Sequence, residues 1–191
     1  MSLQFRQGQV LFVQGALALD PACCCNLACP TDGCGSCPTT ITVAFTGLAC
    51  GGGECDGYLD AVFVEDPTCF WWGYPNGAAG SAQLYCEDGW WFMDLACACY
   101  PPHVPAAECW QNAQGDPCWN PYDFLWFVIR LRAPATPDAQ GHVCPPLDPA
   151  AWTFVTKEAR VRSCYMCWNE GAETNVSACL ANLALDSIVG S

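Results

Sequence analysis

Residues 39–46 alternate without a fault: Ile41, Val43 and Phe45 fall on one side, Thr40, Thr42, Ala44 and Thr46 on the other. A period of two in a run rich in β-branched residues predicts a half-buried strand with one wet face. The same reading continues down the chain. Residues 58–64 predict a second strand, ended by Asp66-Pro67. Cys69-Phe70-Trp71-Trp72 is a short aromatic strand, after which residues 74–80 read as turn. Residues 82–86 and 90–95 flank Glu87-Asp88-Gly89 and predict a hairpin, because Asp-Gly supplies the positive φ of a tight turn. Residues 124–132 carry Leu125, Phe127, Ile129 and Leu131 on one face, with Phe124, Trp126 and Val128 filling much of the other. A strand apolar on both faces belongs centrally or under another element. Residues 152–161 give one or two more strands. Residues 9–19 read as two short strands about Gln14-Gly15, an arm that joins this sheet or a neighbour's.

The tail has a different period. Val176, Leu180, Leu183 and Ile188 recur at helical spacing behind Thr174 or Asn175 as a cap, and predict one short amphipathic helix. About eight to ten short strands and one helix make a mainly β, antiparallel fold, a β-sandwich or jelly-roll-like domain with long stapled loops. Residues 1–38 are expected as a strand arm with a cysteine-rich segment, 39–163 as the core, and 164–191 as a helical tail packed on it.

Eighteen cysteines in 191 residues change this picture. A chain of this length can bury a core of its own. The cysteines are therefore read as pinning proline-broken segments onto that core. Cys23, Cys24, Cys25, Cys29, Cys34 and Cys37 crowd into fifteen residues; Cys50 and Cys55 bound a glycine loop; Cys109 and Cys118 lie in the proline-rich stretch 100–122; Cys164 and Cys167 precede the tail. Disulfides are the leading use of these thiols. Zinc is the alternative. Cys34/Cys37 and Cys164/Cys167 are CxxC pairs, and two such knuckles make a tetrahedral four-thiolate site. Their wide separation would make that site a tie between the chain's two ends. Calcium at Glu54-Cys55-Asp56 or Asp116 is the weaker metal reading, since no EF-hand spacing occurs.

Charge narrows the partners. Six Lys and Arg face nineteen Asp and Glu, a net charge of -13. That excludes a nucleic-acid partner, which needs a basic patch. Only Arg6 is basic before Arg130; Arg130, Arg132, Lys157, Arg160 and Arg162 follow close together. They read as a solvated strand face, or more sharply as a basic stripe against the acidic body of a neighbouring copy. No run is long enough for a membrane helix; the longest, residues 124–129, is strand-sized. Arg6, the four apolar residues from Val10 to Val13 and Ala16-Leu17-Ala18 are a poor secretion signal, so no cleaved leader is expected.

Catalytic chemistry finds little support. His103 and His142, the two histidines, both lie in proline-rich loops, and neither G-x-S-x-G nor H-E-x-x-H occurs. Glu65/Asp66 and Glu87/Asp88 are adjacent carboxylates that read as solvated turn charge. The aromatics say more. Trp71/Trp72 and Trp90/Trp91 are adjacent pairs, and on a strand each pair must show one ring to each face. One ring per pair then leaves the core side, for an interface, a lid or a sugar platform.

These features point to a structural or interaction protein rather than an enzyme. It would be a stapled β-domain that assembles with copies or partner proteins, as a virion component (decoration, tail or capsid-associated) or at a cell surface, extracellular in either case. The alternatives are a carbohydrate-binding or adhesion domain using exposed tryptophan, and a cysteine-ligated zinc domain. The interface candidates are Trp71, Trp72, Trp90, Trp91, Arg130, Arg132, Arg160 and Arg162.

Overall fold

The computed structural model describes residues 11–13, 16–18, 29, 37–50, 55–66, 69–99, 122–138, 141–165 and 173–191. Strands β1 (Leu11–Val13) and β2 (Ala16–Ala18) pair as a hairpin on either side of Gln14 and Gly15. The body is one nine-stranded antiparallel sheet of β3 (Thr40–Thr46), β4 (Ala61–Asp66), β5 (Phe70–Pro75), β6 (Ala78–Glu87), β7 (Trp90–Cys99), β8 (Tyr122–Pro134), β9 (Thr153–Tyr165), β10 (Thr174–Asn175) and β11 (Ala184–Gly190). The order across it is β10-β9-β8-β7-β6-β5-β4-β3-β11. Strands β3 to β9 therefore form a meander, and β11 returns to pair with β3. The antiparallel β class stands. The strand order is one continuous ladder with a single return, in place of the expected sandwich or jelly-roll arrangement.

The sheet cannot be flat. Eight gaps of ~4.8 Å would separate its edges by ~38 Å. Asn175 on one edge and Ala184 on the other are nine residues apart in the chain, a reach of at most ~32 Å. The sheet curls until a 3-10 turn, Ser177–Leu180, bridges the two edges. That turn holds β9 through Val176 N–H to the Ala159 carbonyl (2.9 Å) and Ala159 N–H to Ser177 Oγ (2.9 Å). It holds the end of β3 through Ala49 N–H to the Cys179 carbonyl (3.2 Å).

The expected C-terminal helix is absent; the 3-10 turn and strand β11 stand there instead. The helical spacing arises because Leu180 in the 3-10 turn, Leu183 after it and Ile188 on β11 are all buried although they belong to different elements; β11 itself carries a β-bulge at Asp186. Leu185 pairs with Phe45, Ser187 with Ala44 and Ile188 with Val43, so Asp186 is the extra residue. A bulge adds one residue to one strand only. Leu185 and Ile188 thus both face inward although they are three residues apart.

Inside the curl, alternate residues make one core: Ile41, Val43 and Phe45 on β3, Trp91, Met93 and Leu95 on β7, Phe127, Ile129 and Leu131 on β8. Leu180, Leu183 and Trp152 from the connecting segments close over it. The β6–β7 hairpin turns on Asp88 and Gly89, with φ of 49° and 78°. Both angles are positive, as a two-residue type I′ turn requires.

Among the described residues, four disulfides with both ends described fasten segments to this body: Cys29–Cys86, Cys37–Cys144, Cys50–Cys179 and Cys55–Cys99. Each has at least one end outside the strands, as expected of cross-links that pin loops onto a core. Cys69 is disulfide-bonded as well. Such a set belongs to an oxidising environment, extracellular or secreted. No described helix is long and apolar enough to cross a membrane.

Cys97 is the one free cysteine among the described residues, fully buried on β7 with its thiol donating to the Tyr58 carbonyl at 3.6 Å. Burial pushes its pKa from the ordinary 9.0 up to about 12. Folding thus favours the neutral thiol. The stabilisation this brings is complete below pH 9 and is lost as pH rises toward 12. Because the thiolate is the nucleophile, iodoacetamide at pH 8 is expected to leave Cys97 unlabelled in the folded protein and to label it in denaturant. Peptide mass mapping reads the difference, and rapid labelling of the folded chain would refute it.

Candidate interaction surface on the outer sheet face

Strand alternation sorts the tryptophans. Trp71 and Trp91 are fully buried and meet edge to face at 5.6 Å between ring centres. Trp71 Nε1 donates to the Pro38 carbonyl at 3.0 Å; Trp91 Nε1 finds no acceptor among the described residues. Trp72 and Trp90 face outward. Each pair therefore shows one ring to each side, as the sequence implies, and Trp71 and Trp91 are removed from the candidate surface.

Trp72 does not stand alone. On β4 and β5 the register pairs Val62 with Tyr74 and Val64 with Trp72. These four side chains are 47%, 79%, 56% and 51% exposed in that order. Single exposed apolar residues are ordinary, whereas four in direct cross-strand contact form a patch. Val189 on β11, two strands over, is exposed on the same face, since its partner Thr42 pairs in turn with Val62.

Tyr74 reads as turn in the sequence because of its neighbour. β5 runs through Pro75, not into a turn at Tyr74, but its inward slot at residue 73 is glycine. A Cβ there would lie 2.6 Å from the Val62 carbonyl oxygen and 3.1 Å from the Phe63 ring. The close approach of β4 demands the glycine, and the glycine erases the apolar signal that would have extended the strand.

Beside the patch the outer face is aromatic, then charged. Phe70 lies 4.6 Å from Trp72 and stacks on Tyr85 at 5.7 Å; Tyr85 stacks on Phe92 at 5.6 Å; the Arg130 guanidinium sits 5.7 Å from the Phe92 centroid. Arg130 donates twice to Asp94, Nε to Oδ1 at 2.6 Å and Nη2 to Oδ2 at 2.7 Å. These bonds hold Arg130 more firmly protonated than usual. The Tyr85 hydroxyl donates to Asp94 Oδ2 at 3.2 Å. Burial first, and the Asp94 charge second, raise the Tyr85 pKa. Between Gln83, Asp94 and Arg130 on one side and Ser81, Ala96 and Val128 on the other lies a shallow hollow of about 370 Å³.

Arg132, Lys157, Arg160 and Arg162 are also engaged within the molecule. The Arg132 guanidinium lies 4.5 Å over the Trp90 ring. Arg160 bonds Glu173 at 3.0 Å and Glu158 at 3.1 Å, and Arg162 approaches Glu173 at 3.5 Å. Alternation puts Arg130 and Arg132 on the outer face of β8, while Arg160 and Arg162 sit beside β10 at the sheet edge. The five bases thus make no continuous free stripe. His142 is exposed, 3.4 Å from the Asp138 carboxylate.

Of the cysteines expected as a zinc set, Cys37 is joined to Cys144 and so has no thiolate to give. The Cys164 backbone belongs to β9. Cys34 and Cys167 lie outside the described residues, as do Cys23, Cys24, Cys25, Cys109, Cys118 and His103. Cys29, Cys50 and Cys55 are all disulfide-bonded. Compared with known proteins, the chain matches no protein-family model, no curated sequence and no solved structure.

Proposed function

We propose that the chain is a non-catalytic structural and interaction domain that assembles through the outer face of β4 and β5 with copies of itself or another structural protein. The setting this reading fits is a virion or cell surface. One observation carries it: Val62, Val64, Trp72 and Tyr74 meet across two strands on a face with nothing over it among the described residues. The cross-links supply the other half of the argument. A domain fastened at its loops keeps its outer face in one shape, so little freedom is lost when a partner seats on it.

The test is sedimentation velocity of the oxidised protein across a wide concentration range, beside Val64→Glu. Val64 is exposed, so the substitution should change stability by no more than ~0.5 kcal/mol. It places a carboxylate in the middle of the patch, where an apolar partner would have to desolvate it. The wild-type chain is expected to self-associate, or to bind its parent particle or cell-surface fraction, and Val64→Glu to lose either by at least about tenfold. A wild-type chain that stays monomeric and binds neither fraction, or a Val64→Glu chain that behaves as wild type, overturns the reading.

A further inference from the structure

Across β5 to β9 the outer face carries a single row of register partners. Trp72 pairs with Gln83, Gln83 with Asp94, Asp94 with Arg130, and Arg130 with Thr156. Adjacent members are about 5 Å apart, the spacing of neighbouring strands. On one side of this row stand the stacked rings of Tyr85 and Phe92. On the other side Ser81 pairs with Ala96 and Ala96 with Val128. Those side chains are short, and their shortness is what makes the hollow. Its volume, about 370 Å³, lies at the lower end of the ~300–1,000 Å³ of ligand sites. It is open to solvent, so an occupant lies flat on the sheet.

The chemistry of the hollow is selective. Asp94 and Arg130 neutralise each other through their two hydrogen bonds, so the site carries no net charge. The whole chain is at -13, which disfavours phosphate, sulfate or sialic acid. A peptide strand would need free backbone groups, and here they are spent in the ladders between β6, β7, β8 and β9. What the hollow does offer is a hydroxyl, an amide, a carboxylate and a guanidinium in one row; the exposed Trp72 ring stands outside it, one strand beyond Gln83. A pyranose matches that set. Its C–H face is apolar and lies on an aromatic ring, while its hydroxyls both donate and accept.

We propose that this hollow is a binding site for a neutral saccharide, which hydrogen-bonds Gln83, Asp94 and Arg130 and extends past Gln83 to stack on Trp72, one strand beyond the hollow. The site shares Trp72 with the Val62/Val64 patch, but it does not rest on the assembly reading.

The probe is an array of neutral oligosaccharides (gluco-, galacto-, manno- and N-acetylglucosamine series) with sialylated and sulfated controls, followed by titration of the hits. Ser81→Trp, which fills the hollow, and Gln83→Ala, which removes an amide from its rim, are compared with wild type. Thermal midpoints show whether each variant is folded. Neutral oligosaccharides are expected to bind. Ser81→Trp and Gln83→Ala should each lose about tenfold or more in affinity at an unchanged midpoint. Silence across the neutral array, binding confined to the anionic controls, or full affinity in both hollow variants overturns the proposal. Loss of saccharide binding with assembly intact, or the reverse, tells the failure of this inference from that of the preceding one.

Discussion

Replacing Cys50 and Cys179 together by alanine is expected to lower the unfolding free energy by about 3 kcal/mol and the thermal midpoint by about 6–12 °C. This bridge spans 129 residues and joins the loop after β3 to the 3-10 turn that closes the curled sheet. Loop length alone overstates its share. With Cys37–Cys144 intact, the covalent route from Cys50 to Cys179 runs back through that bridge and is only about fifty residues long. The two bridges belong to one cycle, so either protects much of what the other constrains. Because loop entropy grows only by ~0.6 kcal/mol for each doubling of length, removing both should exceed the sum of the single losses by under ~1 kcal/mol. Chemical denaturation of the two double-alanine variants and of the quadruple variant, read by far-UV circular dichroism, measures this. A Cys50/Cys179 variant as stable as wild type would mean that the hydrogen bonds of the turn close the sheet without help.

Cysteine spacing had no means of announcing that arrangement. Cys50 and Cys179 meet because β11 returns to β3, and the return was masked because Val176, Leu180, Leu183 and Ile188 keep a helical spacing while a 3-10 turn, its flanks and a strand carry them. What the sequence did disclose was local. Thr40–Thr46 is a strand with Ile41, Val43 and Phe45 buried because period two needs no knowledge of the partner strand. Asp88-Gly89 is a turn because two positive φ angles select those residues. Tyr74 reads as turn because the Gly73 position answers to the β4 backbone and says nothing about its own strand. The row Trp72, Gln83, Asp94, Arg130 is a property of register alone. Its members lie 11 to 36 residues apart, and no single segment carries a trace of it.

Trp71→Ala and Trp72→Ala should part company completely, although the two residues are neighbours. Trp71 is fully buried against Trp91, and its indole N–H holds the Pro38 carbonyl beside the Cys37–Cys144 bridge. Truncation leaves a cavity in the core and an acceptor without its donor. The cavity costs about 3–5 kcal/mol and the lost hydrogen bond about 1 kcal/mol more. Against a typical total of 5–15 kcal/mol this is a large share, and a midpoint drop of at least about 10 °C follows. Trp72 faces outward beside Val64, Phe70 and Gln83, so its truncation gives up partial surface contact and leaves no cavity. Its stability should stay within ~0.5 kcal/mol of wild type. The loss appears in binding instead: self-association or partner capture and saccharide affinity should each weaken by about tenfold. Thermal melts of the two variants and binding measurements on Trp72→Ala decide the matter. A Trp72→Ala chain that melts early would put that ring in the folding core. One that binds everything wild type binds would take the outer face out of the function.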